Sequence, residues 1–332
     1  HEVAWDQFQL PVYTEPETID LDKIPPLELD QTENQAIIKG NTFALTFDKD
    51  KGTIHSLIFE KKELIKQGPL PNFWRVPNDN DFGNGMPERC KIWFKIRTKR
   101  RVENVSIKKT GPSQVQIDVA SILEAGNSLY DSRFIILGSG DIFIENRFSP
   151  GNRDLPELPR FGMQMILPVE FDNMEWYGRG PHESYWDRKT SAAIDLYQGK
   201  VIDQHHPYIR PQESGNKTDV RWVALTDDQG IGLLAVGMPL LSVSANHYLM
   251  DDFENGPEKE QRHATDLEKR DLVTWNLDYK QMGVGGDNSW GARPHDKYTL
   301  FPKEYTYTFR LRPFSREKES PMALSKQKLN LD

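Results

Sequence analysis

The chain has 332 residues, which is long for one domain but suits a large all-β domain built around one principal core. With 37% hydrophobic and 11% aromatic residues it can bury such a core, and its net charge of −8 argues against a nucleic-acid partner. No apolar run approaches the length that crosses a membrane, and the first residues lack the pattern of a signal peptide.

The chain starts at His1 rather than at a methionine, and its first residues alternate apolar and polar side chains as an amphipathic strand does. We expect residues 1–13 to be the last strand of a preceding domain, so that the chain is a piece of something longer. The acidic, proline-bearing residues 14–34 have the composition of a linker. A main domain is predicted over residues 35–313, followed by a charged and frayed tail over residues 314–332.

Strand-like runs follow one another through the main domain. Residues 43–47 and 53–59, joined by the turn sequence DKDKG, predict a β-hairpin. Gly, Asp, Asn and Ser separate several later runs, a spacing that favours antiparallel strands over βαβ units. An irregular segment is expected at 68–85, and helices are expected at 87–99 and 257–268. The other predicted strands cover residues 102–108, 114–121, 132–137, 141–148, 160–168, 218–226, 230–236, 240–245, 271–279 and 305–311.

The stretch WYGRGPHESYWDR, residues 176–188, combines turn-forming and charged residues more densely than any other window. Glycines and a following proline predict a shaped loop, and an arginine near its end can hold a carboxylate. Two interpretations stay open, a structural corner held by an ion pair and a direct contact with a ligand. The residues concerned are Gly178, Gly180, Pro181, Glu183, Asp187 and Arg188.

Motifs of several enzyme classes are missing from the sequence, including a nucleophile elbow, a zinc-binding helix, a phosphate-binding loop and a dinucleotide fingerprint. Glu183 and Glu213 stand in distinctive turns, but the sequence does not place them as the facing carboxyl pair of a glycosidase. His205 and His206, close in sequence to Glu213, are either an acid/base pair or hydrogen-bonded loop residues.

Trp290 follows the glycine-rich and polar sequence MGVGGDNS, so a flexible loop presents a large indole. An apolar sugar face can stack on an indole while polar groups bind the hydroxyls. A core tryptophan at a strand end is the competing interpretation.

Four motifs converge on one family. The segments FWRVPNDND, WYGRGPHESYWDR, PYIRPQESGN and MGVGGDNSW, in this order, resemble the C-terminal domain of the large glycoside hydrolase family 2 β-galactosidases. The resemblance extends to about Pro313, and the first residues are similar to the closing strand of the immunoglobulin-like domain that precedes it. It implies an all-β fold, a large antiparallel β-supersandwich of the galactose-mutarotase type, with one or two short helices.

The resemblance also implies that catalysis takes place on another domain of the enzyme. In the family the two catalytic carboxylates of a retaining mechanism lie in a central (β/α)₈ barrel, which this chain lacks, so no catalytic residue is expected here. Glu213 matches a turn motif of the family and is not the nucleophile. The expected partners are the N-terminal and barrel domains of the same enzyme, a galactoside such as lactose, and further copies of the full-length enzyme.

Trp290 corresponds to the family residue that lines the active-site mouth and stacks on the second sugar. Two loops are expected to help shape this entrance, and their residues are Asp287 and Asn288 in one and Arg75, Asn78, Asp79, Asn80 and Asp81 in the other. Arg210 and Gln212 depart from the family's usual residues, which puts any contact made there in doubt.

No cofactor or metal site is evident in the chain, whose single cysteine, Cys90, has no neighbours at zinc-ligand spacing. The resemblance is compatible with a full-length enzyme that needs divalent cations (Mg²⁺ or Ca²⁺) and monovalent cations. A soluble protein of a bacterial-type cytoplasm or periplasm is expected. Two other functions stay open, a free-standing mutarotase-like aldose epimerase and an independent carbohydrate-binding module.

Overall fold

The computed structural model describes residues 4–12, 15–94, 96, 99–152, 154–253, 262–288 and 291–329. The first strands are β1 (Thr18–Ile19), β2 (Glu28–Gln31), β3 (Gln35–Lys39), β4 (Phe43–Asp48), β5 (Thr53–Phe59), β6 (Lys62–Glu63) and β7 (Gln67–Asn72). The middle strands are β8 (Arg100–Gly111), β9 (Gln114–Leu123), β10 (Ser128–Leu137), β11 (Ile142–Ser149), β12 (Arg160–Pro168) and β13 (Asn173–Gly180). The last strands are β14 (Ala193–Lys200), β15 (Lys217–Thr226), β16 (Ile231–Asn246), β17 (Leu272–Gln281), β18 (Tyr305–Ser315) and β19 (Lys328–Leu329). The α-helices of the described residues are α1 (Asp79–Gly83), α2 (Met86–Arg89) and α3 (Pro321–Lys326).

Two antiparallel sheets make up the body of the protein. The smaller has the strand order β2-β3-β4-β5-β6, and the larger runs β14-β13-β15-β16-β18-β11-β10-β9-β8. A branch of the larger sheet adds β17, β12 and β7. Sequential strands are mostly neighbours, as expected when short turns rather than helices connect them.

The long strand β16 joins the main path of the larger sheet to its branch. Its first part pairs with β18, where Val236 lies opposite Arg310, and its second part pairs with β17, where Val243 lies opposite Leu277. One strand therefore has different neighbours along its length, and the sheet turns at that point. Residues predicted as two strands, 230–236 and 240–245, form this single bent strand.

The core follows from the alternation of apolar and polar residues along the strands. In β9 every second residue from Val115 is buried and its neighbours are partly exposed, as a half-buried strand requires. At the centre, Phe73 stacks on Trp93 with ring centroids 5.5 Å apart and meets Phe148 and Phe161 at 5.2 and 5.6 Å. Such aromatic clusters bury large apolar areas and dominate the stability of the core.

The predicted all-β, antiparallel fold is confirmed. The hairpin of β4 and β5 is present, with Phe43 opposite Phe59 and Phe47 opposite Ile54. The predicted strands at 160–168 and 114–121 also match β12 and β9 closely.

The predicted helix at 87–99 is wrong. The α-helical part ends at Arg89, and Lys91–Trp93 form a 3₁₀ turn. Trp93 is fully buried, stacks on Phe73 and donates its indole N–H to the carbonyl of Pro156 at 3.2 Å. Packing of this side chain therefore overrides helix propensity. Most of the second predicted helix, 257–268, lies outside the described residues, and its described part holds a 3₁₀ turn at Ala264–Asp266.

Strands also lie where the sequence predicts none, and three of them bear on the site. β7 overlaps the segment predicted to be irregular, and its proline at position 71 hides its strand pattern. β13 contains residues 176–180, where the glycines predict a shaped loop. β14 pairs with β13 and has exposed or partly exposed residues along its whole length, so it shows no apolar alternation.

The predicted linker and the predicted tail are more ordered than expected, whereas residues 4–12, within the strand predicted at 1–13, belong to no strand. In the range expected to be a linker, β2 extends the smaller sheet by pairing with β3. The tail expected to be frayed forms α3 and β19, and β19 pairs with β1. Leu324 is buried, and Arg310 donates to its carbonyl at 2.6 Å, which explains why the tail is held. The domain boundaries themselves stay a prediction.

Within the ranges that the structure describes, no helix is long and apolar enough to cross a membrane.

Candidate functional site

The loop between β7 and α1 contains a fully buried ion pair. Arg75 and Asp81 are 0% and 1% exposed, and Arg75 Nη2 lies 2.7 Å from Asp81 Oδ1. Burial alone would lower the pKa of Arg75, but attraction to Asp81 and their hydrogen bonds outweigh it and hold this pKa above its ordinary value. Both side chains are buried and paired with each other, which gives them a supporting role in the loop. Their predicted substrate contacts stay predictions.

Asp81 also closes the first turn of α1. The Asn78 side chain accepts from the backbone N–H of Asp81 at 2.8 Å, and the Asp81 carboxylate accepts from the N–H of Asn78 at 3.0 Å. This reciprocal capping satisfies two N–H groups that the helix leaves unpaired. The sequence N-D-N-D therefore fixes the direction in which the loop approaches the rest of the site.

The loop that leads towards Trp290 is held from two sides. On one side, Arg75 donates to the carbonyls of Met282 and Gly283, the second at 2.9 Å. Asn78 and Asn80 both donate to the carbonyl of Val284, at 3.2 and 3.1 Å.

On the other side, Asp187 accepts from the backbone N–H groups of Val284 and Gly285, at 3.0 and 2.8 Å. A Cβ at position 283 would lie 2.7 Å from Asp187 Oδ2, so a glycine is needed for this approach. Charge-assisted hydrogen bonds of this kind are stronger than neutral ones. The three loops around residues 75–81, 187 and 282–288 thus form one braced unit, which we call the rim.

The exposed part of the rim carries further polar contacts. Asp79 is 69% exposed and lies 2.9 Å from Arg210 Nε. Gln212 Nε2 donates to the same carboxylate at 3.1 Å, and Arg210 stacks over the ring of Phe82 at 4.3 Å. Arg210 and Gln212, the two departures from the family pattern, therefore both pair with Asp79.

The end of the glycine-rich loop is open to solvent. Asp287 forms an exposed ion pair with His295, at 2.8 Å, and Asn288 accepts from the N–H of Ala292 at 3.3 Å. Trp290 and the residue before it lie outside the described residues. The prediction for the Trp290 side chain therefore stays a prediction.

Glu183 is the centre of a second hydrogen-bonded group. It pairs with Arg188, accepts from the hydroxyl of Tyr208, and accepts from the N–H of Gly215 at 2.8 Å. Burial raises the pKa of Glu183, but these three donors outweigh burial and bring it below its ordinary value. The carboxylate is thereby committed to holding the stretch 176–188 against the turn at residues 213–215.

The small residues of this stretch serve close packing. A Cβ at Gly178 would lie 2.8 Å from Val220 Cα, and one at Gly180 would lie 2.6 Å from the Tyr197 ring. Gly180 and Pro181 are joined by a cis peptide bond. The stretch therefore acts as a corner that carries Asp187 to the rim.

The proposed acid/base group of histidines and Glu213 is not assembled. His205 Nδ1 lies 3.0 Å from Ser214 Oγ, and its ring packs against Tyr248. Burial, followed by the neighbouring His206, lowers the pKa of His205. Glu213 instead accepts from Arg160, at 3.2 Å.

A buried charge group that the sequence did not reveal lies beneath Glu213. Arg160 Nε is 3.2 Å from Asp278 Oδ2, and both side chains are almost fully buried. Burial raises the pKa of Asp278 to about 8, with Arg160 opposing and Glu213 adding to the shift. A Cβ at Gly162 would lie 1.9 Å from Asp278 Oδ1. The available signal was a charged residue in each of two mainly apolar segments, Arg160 in RFGMQMILP and Asp278 in LVTWNLDYK.

Across the described ranges, no group of three or more His, Cys, Asp or Glu side chains is arranged to hold a metal ion. The donor sets described above are also engaged with arginines and backbone N–H groups. They therefore do not fit the divalent cation that the resemblance allows for the full-length enzyme.

Comparison with known proteins gives a consistent family. The model of the β-galactosidase small chain matches residues 39–311. A β-galactosidase of Priestia megaterium is 41% identical over 317 residues, which cover 94% of this chain and 30% of the relative. A β-galactosidase of Halalkalibacterium halodurans is 34% identical over 273 residues, or 79% of this chain and 26% of the relative. The chain thus spans less than a third of the length of these relatives.

Solved structures with a similar shape include the galactose 1-epimerase of Lactobacillus acidophilus, at 10% identity and a TM-score of 0.46 over 88% of this chain and 99% of that one. A galactose mutarotase related enzyme of the same species is 8% identical and has a TM-score of 0.43, and the match covers 85% of this chain and 97% of that one. A likeness at this level carries no conclusion about what the chain does.

Proposed function

The chain belongs to the β-galactosidase small-chain family, and from that premise we propose that it serves as the non-catalytic, carbohydrate-contacting part of a β-galactosidase. The relatives that carry this name are more than three times as long as the segment they share with the chain. The proposed substrate is a terminal β-galactoside such as lactose. The proposed partners are the remaining domains of the same enzyme, in a homo-oligomer.

The bracing of the loop before Trp290 is the observation that carries this proposal. Arg75, Asn78 and Asp187 together fix the backbone of residues 282–285 through hydrogen bonds from both sides. Such a support is expected where a binding side chain must be held in one place, because preorganisation lowers the entropy lost on binding. We propose that Trp290 stacks on the second sugar or aglycone at the active-site mouth, with Asp79, Asp287 and Asn288 around it.

The catalytic carboxylates are proposed to lie on the part of the enzyme outside this chain, in a retaining mechanism of glycoside hydrolase family 2. The glutamates in distinctive turns support this division. Glu183 is held by Arg188 and Tyr208, and Glu213 by Arg160, so neither is placed as a free acid or nucleophile. Any divalent and monovalent cations of the full-length enzyme are proposed to bind outside the donor sets of this chain.

Hydrolysis of a chromogenic β-galactoside by the purified chain tests the non-catalytic part of the proposal. We expect release of product at the rate of the buffer alone. Release well above that rate, persisting after a second purification step, would overturn it. Polarimetry of freshly dissolved galactose tests the epimerase alternative in the same sample, and the expected result is no acceleration.

A further inference from the structure

A separate cavity of about 350 Å³ lies beside the rim and shares none of the rim's predicted contact residues. The start of β15, the middle of β16, the end of β17 and the start of β18 surround it, and Trp186 covers one side. Its volume is at the lower end of the range for small-molecule sites. The cavity is therefore large enough for a ligand of monosaccharide size.

Positive charge is in excess at this cavity. Lys280, Lys189 and Asp219 all line it. Asp219 is already shared by Lys189 Nζ and by Arg179 Nε, each at 2.6 Å. Among the described residues, no carboxylate lies within ion-pair distance of Lys280. The lining thus holds two lysines and one carboxylate, and that carboxylate is already bound by Lys189 and by Arg179 from outside the lining.

Two aromatic rings hold Lys280 in place. Its ammonium lies 4.2 Å from the centre of the Trp186 ring and 5.1 Å from that of Tyr279. Trp186 is itself fixed by an edge contact with Tyr298, at 6.0 Å between centroids. Burial, and then the charge of Lys189, lowers the pKa of Lys280, so its ammonium gains from an incoming anion.

The backbone at Asp219 is also unusual. Its φ is +53°, a left-handed conformation that residues other than glycine seldom adopt. Two cations, Arg179 and Lys189, bind the Asp219 carboxylate. The Asp219 carbonyl accepts a hydrogen bond from Arg221 at 2.6 Å, and these contacts hold the backbone in this conformation. Backbone conformations of this kind collect at binding sites.

The remaining lining supplies hydrogen-bonding and apolar surface. Ser242 and Asn216 form one polar wall, joined by a hydrogen bond of 2.9 Å. Met238 and Leu240 add apolar surface to the lining and are 45% and 38% exposed. A ligand with hydroxyl groups as well as a negative charge matches this mixture.

We propose that this cavity binds an acidic monosaccharide, that is, a sugar ring bearing a carboxylate or a phosphate, with the negative group against Lys280. The proposal is independent of the proposed function, since it requires neither the rim nor the missing domains. A carboxylate and a phosphate offer the same oxyanion to Lys280, and the experiment separates them.

Saturation-transfer NMR on the purified chain, with galacturonate, galactose 6-phosphate and galactose as probes, tests the site. We expect saturable binding of at least one acidic probe, with a dissociation constant on the order of 1 mM, and at least tenfold weaker binding of galactose. Whichever acid binds identifies the preferred oxyanion. No binding of either acid, or equal binding of galactose, would overturn the proposal.

Variants locate the contact. Lys280→Met should weaken binding of the acidic probe about tenfold, and Lys280→Arg should retain it, because the loss is of a charge-assisted hydrogen bond. Lys297→Met is the matched control, since Lys297 lies over Tyr298 at 4.8 Å but does not line the cavity. If Lys280→Met binds the acidic probe as well as the unchanged protein does, the proposal is contradicted. It is equally contradicted if Trp290→Ala loses the probe while Lys280→Met retains it.

Discussion

Arg75 connects the loop between β7 and α1 to the glycine-rich loop before Trp290. Its guanidinium binds Asp81 and two carbonyls of the loop before Trp290, with no exposure to solvent. Replacing it by methionine leaves the Asp81 carboxylate buried without its cation. We expect Arg75→Met to lower the free energy of unfolding by about 3–5 kcal/mol, as for other broken buried ion pairs.

Arg89→Met is the matched control, because Arg89 pairs with Glu157 at the same 2.7 Å but both side chains are partly exposed. A loss of about 1 kcal/mol is expected there. Urea denaturation followed by fluorescence measures both variants. Equal losses would show that the Arg75 pair has no special place in the rim.

Asp278 should make stability depend on pH. Burial raises its pKa to about 8, whereas an unfolded aspartate titrates near 3.9. Between these two pH values the folded protein holds a proton on Asp278 that the unfolded chain has lost. Proton binding by Asp278 therefore stabilises the fold fully below about pH 4, and this stabilisation is lost as the pH rises towards 8.

The variant Asp278→Asn mimics the protonated acid, so its unfolding free energy should not show this decrease with rising pH. The decrease is on the order of a few kcal/mol between about pH 4 and pH 8. The difference in unfolding free energy between the two proteins, measured by urea at several pH values, isolates the effect. Asp203→Asn, at an exposed position, serves as the control. A constant difference between pH 4 and 8 would disprove the assignment.

Single residues were predictable from sequence only where a motif marked them. Asp187 and Glu183 stand in a dense motif, and that motif pointed to the family. The roles of Arg75 and Asp278 were not predictable, because their partners are brought together by folding. Arg75 and Gly283, for example, are 208 residues apart.

The rim behaves as one element because a loop from each of three regions contributes to it. Asp187 is the contribution of the stretch 176–188, and it accepts two backbone N–H groups from the glycine-rich loop. Asparagine at this position would place its amide NH₂, a donor, opposite one of these two backbone N–H groups, which would then lose its acceptor. We therefore expect Asp187→Asn to speed hydrogen exchange at Val284 and Gly285 about tenfold.

Amide exchange measured by NMR in both proteins tests this expectation. Asp195→Asn is the control, since Asp195 lies on the exposed strand β14 and its carboxylate accepts from its neighbour Leu196. Unchanged exchange at Val284 and Gly285 would mean that Asp187 does not hold the loop.

Strands with a clear apolar pattern were predictable, and strands without one were not. β9 and β12 carry an apolar pattern, so their limits agree closely with the predicted ranges. β14 has no buried face, and its neighbour β13 was hidden among glycines that serve close packing. Tertiary contacts of Trp93 shortened the predicted helix at 87–99.

At the level of the whole molecule, the chain has a complete core but only one side of the proposed active site. Its sheets enclose a continuous apolar cluster that includes residues from both the smaller and the larger sheet. The rim lies at the surface and ends in a loop open to solvent. This arrangement supports the proposal that the chain, which matches 30% of a relative, folds around its own core and acts together with the remainder of the enzyme.

A chimera tests that account most directly. The segment of the Priestia megaterium β-galactosidase that matches this chain is replaced by the chain, with and without Trp290→Ala, and hydrolysis of lactose is measured. We expect the chimera to be active and the chain alone to be inactive. Trp290→Ala should raise KM for lactose about three- to tenfold, the effect of one lost aromatic contact. An inactive but folded chimera, or an unchanged KM in the variant, would contradict the claim that this chain supplies the aromatic side of the active-site mouth.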